Sequence, residues 1–375
     1  MSRSFHPLWT CVAGLLLGVL LLLPQACSEV ESAPMGGIEV SGPVNFQPEA
    51  IPYPLLSDYA FFKGRQANLE PNAGVLPYEL ITPLFTDYAY KARFIWMRDS
   101  AQAVVLSDGS IEFPDHTVLI KTFYYPADFR LPEKDWNIIE TRLLLRREGR
   151  WEAFSYIWNE EGTDARLKNT GDIQAVSWVD QAGAARRIDY VVPNKNQCKS
   201  CHHRNNVIEP LGPKVRNLQK RVAYPDGTVM AQLSRWQQAG FLSSDAEWDH
   251  SAVPEWDDPE SDLEARALAY LDINCGHCHR PEGSANTTGM FLNWEEEDPG
   301  RWGRCKPPVA AGRGSGGLRF GIIPGQPAGS ILLHRMQSDD PGVMMPELGR
   351  VIGHTEGVEL IRAWIESMEG DCPPL

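Results

Sequence analysis

Asp262-Leu263-Glu264-Ala265-Arg266-Ala267-Leu268-Ala269-Tyr270-Leu271 leads through Asn274 into Cys275-Gly276-His277-Cys278-His279, and this stretch decides how the C-terminal third is read. Leu263, Ala267, Tyr270 and Leu271 recur at helical spacing and mark one apolar face. The predicted helix delivers two thiols three residues apart, followed at once by a histidine. The same pattern stands well upstream as Cys198-Lys199-Ser200-Cys201-His202. Two thiols on one helical turn can form thioethers with the two vinyl groups of a haem, and the next histidine then reaches the iron. A closed zinc site would set its two C-x-x-C pairs close together, and a thioredoxin-like dithiol would occur once, in a βαβ context. The expected cofactors are therefore two covalently attached haem c groups. Cys198, Cys201, Cys275 and Cys278 would be the attachment points, and His202 and His279 the iron ligands.

Working outward, the N-terminus reads as an export signal. Arg3 is followed by an uncharged run from Leu8 to Leu23, too short for a membrane span, and then by Pro24-Gln25-Ala26-Cys27-Ser28. Residues 1–26 are expected to leave as a signal peptide. Ala26-Cys27 resembles a lipoprotein cleavage site, with Pro24 where leucine is usual, so Cys27 is the candidate lipidation site. The expected location is the periplasm, with membrane contact only through a lipid anchor in the outer membrane. Cys11 leaves with the signal, which leaves Cys305 and Cys372. Both fall in the second haem module, neither is needed for a haem, and the compartment is oxidising, so a disulfide between them is expected.

With 375 residues the chain exceeds the size of one ordinary core, so more than one unit is expected. Its 43% hydrophobic and 22% charged residues exclude wholesale disorder. A net charge of −14 argues against a nucleic-acid binder and fits a redox partner protein with a basic docking face.

The expected class is α+β: a linker at 27–50, an antiparallel β-rich module at 51–195, a first haem-binding segment at 196–255 and a second haem domain at 256–375. Short β-type runs at 92–98, 116–125, 138–146, 151–158, 173–179 and 186–192, punctuated by turns such as Glu148-Gly149, point to a sandwich or barrel-like module. Trp136, Trp151, Tyr156, Trp158 and Trp178 read as core and rim. The first haem motif follows a strand end and loop. Met230 is the only methionine between the two motifs and is the first candidate for that iron's sixth ligand. His250, a residue from elsewhere and an open position are the alternatives. Gly312-Arg313-Gly314-Ser315-Gly316-Gly317 fits a dinucleotide-binding pattern, but no strand precedes it and glycines and prolines forbid the helix that should follow.

Taken together, the helix entering Cys275–His279, the Met344-Met345-Pro346 triplet and the amphipathic run from Thr355 through Leu360, Ile361, Trp364, Ile365 and Met368 resemble the class I cytochrome c module. Thr355 is the expected N-cap of the last helix. The resemblance implies Met345 as sixth ligand of the second haem, with Met344 adjacent and Met336 more distant as alternatives. More widely, Phe113–Phe123, Ile139-Glu140-Thr141-Arg142, Tyr156-Ile157-Trp158-Asn159, both haem motifs, Pro324-Gly325-Gln326-Pro327 and Met345–Arg350 resemble a family of exported bacterial two-haem c-type cytochromes. That resemblance implies an electron carrier, with a neighbouring parallel β-helix protein as a candidate partner. The competing expectations are a peroxidase- or oxidase-like enzyme with an open first iron, and an electron-accepting subunit docked to a dehydrogenase. In a further reading the β module binds a polysaccharide.

Overall fold

A computed structural model describes residues 39–40, 42–98, 101–205, 207–309 and 311–374. The expected signal peptide (1–26) and the lipidation site Cys27 lie outside the described residues. No helix among the described residues is long and apolar enough to cross a membrane.

The chain is α+β. Six strands form one antiparallel sheet, each pairing with its successor: β1 (Val75–Pro77), β2 (Tyr90–Trp96), β3 (Val118–Pro126), β4 (Trp136–Arg147), β5 (Arg150–Trp158) and β6 (Ala165–Leu167). A separate hairpin, β7 (Asp172–Val179) and β8 (Ala185–Val192), follows. β-branched and aromatic residues dominate β3, as a strand covered on both faces requires. Glu148 and Gly149, both at positive φ, turn β4 into β5 in the two-residue form that matches strand twist. All six expected runs are strands, with ends within about two residues of those read from sequence.

The sheet is an open meander, not the expected sandwich or barrel, because irregular chain and helices supply its covering layers. On one face Phe46, Leu56, Tyr59 and Phe61 pack against Val118, Ile120 and Leu143. The described part of the expected linker, 42–50, thus contributes Phe46 to the module's core. Trp151, Tyr156, Trp158 and Trp178 are buried and Trp136 is half-buried.

Among the described residues six α-helices follow the sheet: α1 (Lys195–Cys201), α2 (Val215–Leu218), α3 (Gln232–Gln238), α4 (Leu263–Leu271), α5 (Ile331–Gln337) and α6 (Thr355–Ser367). Leu218, Leu233 and Trp236 cover the second face of the sheet over Ile95 and Leu119. Ala267 and Leu271 of α4 share a core with Ile361 and Trp364 of α6, whose indole N–H donates to Glu264 at 3.3 Å. His354, not Thr355, is the N-cap residue of α6, and its side chain makes no capping bond. Cys305 and Cys372 form a disulfide across a sequence separation of 67 residues.

Two buried polar ties join the sheet and α2 to the C-terminal helices. The Asp87 carboxylate accepts the backbone N–H groups of Val351 and Ile352 at 2.7 and 3.0 Å. Arg216 of α2 pairs with Asp272 at 2.9 Å and Glu295 at 2.6 Å.

Candidate functional site

Each thiol pair is presented by a short helical segment whose start is locally specified. After β8 ends at Val192, Asn194 caps α1: its side chain accepts the N–H groups of Asn196 and Gln197, both at 3.0 Å. The Gln197 side chain returns to the Asn194 N–H at 2.9 Å. The first motif therefore follows a strand end and a two-residue loop, as read from sequence, and itself forms the helix. Cys198 and Cys201 sit one turn apart, and His202 terminates the turn with its N–H on the Cys198 carbonyl at 3.1 Å.

The second motif grows out of α4 through a widened turn, Asp272–Gly276. His279 N–H reaches the Cys275 carbonyl at 2.9 Å, the same closure as at His202. Gly276 is required here: a Cβ would lie 2.8 Å from the Leu292 carbonyl oxygen.

The first motif's histidine is held in one tautomer. His202 Nδ1 lies 2.8 Å from the Glu209 carbonyl oxygen. A carbonyl can only accept, so Nδ1 carries the proton and Nε2 keeps its lone pair. The Thr288 hydroxyl donates to the Ala285 carbonyl at 2.7 Å, leaving its oxygen to face His279 Nδ1 at 3.4 Å. Burial pushes His202 down to about 4, and burial likewise lowers His279. Both rings are neutral bases at neutral pH.

A cavity adjoins each motif. The second, about 630 Å³, is lined by Cys278, His279, Met290, Arg335 and Met345 and lies in the range that encloses a small organic cofactor. The first is narrower, about 160 Å³, and lies between the second face of the sheet and the C-terminal helices. Cys198, Cys201 and His202 meet Arg93, Lys121 and Arg142 there. Part of its wall is made of long, rotatable side chains, so its width depends on their rotamers.

The two cavities share a wall. Cys201, Asn274, Cys275, His277 and Met345 line both, and Cys201 and Cys278 both line the second. The neighbouring Cys278, together with burial, raises the Cys201 thiol, which stays protonated. Asn274 locks the wall in place, accepting the Phe85 N–H at 2.8 Å and donating to the Tyr270 carbonyl at 2.9 Å.

Met345 and Met336 line both cavities, and Met344 is buried away from them. Met230 sits in a small hairpin opposite Val222, and His250 Nε2 lies 3.2 Å from the Ser107 carbonyl. Neither lines either cavity. The residues that sequence reasoning missed are Arg93, Lys121, Arg142 and His354, all on the first cavity. A lysine inside the apolar Val118–Phe123 run was the available signal: a charge within a strand buried on both faces needs a buried purpose.

A haem group fits this donor set: paired thiols one turn apart, a neutral histidine with a free Nε2, and an adjoining cavity. No protein-family model matches the chain, and no curated protein or solved structure matches it.

Proposed function

We propose that this protein is an exported two-haem c-type cytochrome that passes electrons between redox partners. The observation that carries this reading is the shared wall: two Cys-x-x-Cys-His motifs of identical pattern meet at cavities that both have Cys201 and Cys275 in their lining. When bound, each haem supplies a one-electron ferrous–ferric couple tuned by axial ligands and burial. Cys198 with Cys201, and Cys275 with Cys278, fix the position of each macrocycle. His202 and His279 offer Nε2 to the iron, and the Glu209 carbonyl and Thr288 hydroxyl orient the rings and raise their basicity. Met345, which lines the second cavity, would be the second protein ligand to that haem's iron, in a class I cytochrome c-like domain over 256–375. Met230 is not proposed for the first.

The same reading takes the chain to the periplasm, held by a lipid on Cys27. Its net charge of −14 favours a partner with a basic docking face; the product of a neighbouring parallel β-helix gene is a candidate. A catalytic reading has one observation in its favour: Met230 and His250 both lie away from the first cavity. Reactivity of the reduced protein with peroxide or carbon monoxide would support it, and an inert pair of haems supports the carrier.

The deciding experiment is expression with export and a haem-attachment apparatus, followed by mass measurement after acid–acetone extraction. Two retained haems per chain are expected, and Cys198→Ala/Cys201→Ala or Cys275→Ala/Cys278→Ala should each remove one. A haem-free chain, or one carrying zinc on these thiols, overturns the proposal.

A further inference from the structure

The second face of the sheet carries a row of cations where an apolar row is expected. Cross-strand register sets Arg93 of β2 opposite Lys121 of β3, and Lys121 opposite Arg142 of β4. The next row along the same face is Ile95, Leu119 and Leu144, so the charges interrupt a surface that otherwise packs as core. All three cations line the first cavity, beside Cys198, Cys201 and His202.

Their compensation is incomplete. Glu140, 0% exposed, is the carboxylate on this face, and it is already engaged: Arg142 Nε donates to it at 2.8 Å and the Tyr190 hydroxyl at 2.8 Å. Arg93 is 8% exposed, and its buried Nη2 has no hydrogen-bond partner. Lys121 places its ammonium 4.7 Å from the centre of the Phe123 ring, and among the described residues no carboxylate pairs with it. An isolated buried cation is costly, and folded proteins retain one where an anion completes it. Arg93, buried, and Lys121, half-buried on the neighbouring strand, face one cavity and call for negative charge that no ion pair among the described residues provides.

We infer that Arg93 and Lys121 receive the two propionate carboxylates of the haem attached at Cys198 and Cys201. This rests on the two-haem reading above and extends it by making the β module half of the first haem site. The module then has a role independent of any polysaccharide or dehydrogenase: it neutralises the cofactor's acid groups and thereby sets that haem's potential. A free oxyanion has the same chemistry, and the test separates the two sources.

The test is a redox titration of the mature two-haem protein with Arg93→Gln, Lys121→Gln, the double variant and Lys121→Arg. Removing a cation beside the propionates favours the ferric state, so one of the two midpoints falls and the other stays. The double variant should shift that reduction equilibrium at least about tenfold, or about 59 mV for a one-electron couple. The same midpoint should become pH-dependent as the released propionate titrates, and Lys121→Arg should restore it. If Arg93→Gln matures poorly, Lys121→Gln and Lys121→Arg still give the comparison. Unchanged midpoints in a protein that carries both haems overturn the inference. Inorganic phosphate is the second arm: a saturable phosphate-dependent shift in the wild type, lost in Arg93→Gln, overturns it in favour of a free oxyanion. A chain without haem fails the earlier proposal instead, and its haem count reports that separately.

Discussion

Replacing Asp87 tests how the sheet holds the loop that carries Met345. The carboxylate is 2% exposed and caps two backbone N–H groups just beyond Arg350. Burial, opposed by those two bonds and by Arg350, raises its pKa from 3.8 to about 6. The folded chain therefore keeps a proton that the unfolded chain has released. The associated stability is fully present below about pH 3.8 and is lost as the pH rises through about 6. At 1.36 kcal/mol per unit the window is worth about 3 kcal/mol. Asp87→Asn keeps an acceptor oxygen and tolerates the residue's positive φ of 46°, so only the ionisation disappears. Guanidinium unfolding followed by tryptophan fluorescence should show wild type and Asp87→Asn alike at about pH 4, and the variant more stable by up to about 3 kcal/mol above about pH 7. Taking the difference between the two proteins cancels every other titrating group. Asp87→Ala leaves two N–H groups without acceptors and should lose about 2–4 kcal/mol even at low pH. If Asp87→Asn tracks the wild type at every pH, the carboxyl ionises normally and the reasoning fails. If Asp87→Ala is no worse than Asp87→Asn, the two N–H bonds do not hold the loop.

Three further outcomes follow from the same packing. Cys305→Ser/Cys372→Ser opens a loop with a sequence separation of 67 residues and should lower stability by about 4 kcal/mol in the chain-entropy treatment, read from the denaturation midpoint. In the haem-loaded protein, Met345→Ala should abolish the weak long-wavelength band of methionine-ligated ferric haem, and Met344→Ala should retain it; the reverse result reassigns the ligand. Trp236 is fully buried and its indole N–H finds no partner, so Trp236→Phe should cost less than about 1.5 kcal/mol and Trp236→Ala about 3–5 kcal/mol in thermal melts.

Strands were legible because their chemistry is local. The Val118–Pro126 run has the branched and aromatic composition of a strand wherever it packs, and the Glu148-Gly149 turn declares a hairpin on its own. The two Cys-x-x-Cys-His motifs were legible for the same reason: their spacing is contained within five residues. What could not be read locally is what faces what. Arg93, Lys121 and Arg142 are far apart in sequence and become one row only through strand register. Phe46 reads as linker because its ring partners, Trp96 and His116, lie 50 and 70 residues away. Met230 stands out by its place along the chain, and the turn signal Pro225-Asp226-Gly227 just before it marks the hairpin that holds it away from the iron. The cap of α6 slipped by one residue because His354 is drawn into contact with Tyr270 at 2.9 Å and stacks on Phe85.

The first cavity also imposes an order of events. Its walls come from residues as distant as Tyr78 and Val358, so it exists in neither half of the chain alone. During synthesis the sheet and both thiol pairs emerge before Met345 and His354, and the enclosure closes only when those last residues arrive. Until then Cys201 and Cys278 stand open to whatever reaches them. In an oxidising compartment two thiols that line one cavity are also apt to join to each other. On the two-haem proposal, haem delivery would run against a clock set by the folding of the final helix, and a mutation that hastens this folding would reduce the yield of the mature protein while making the bare chain more stable.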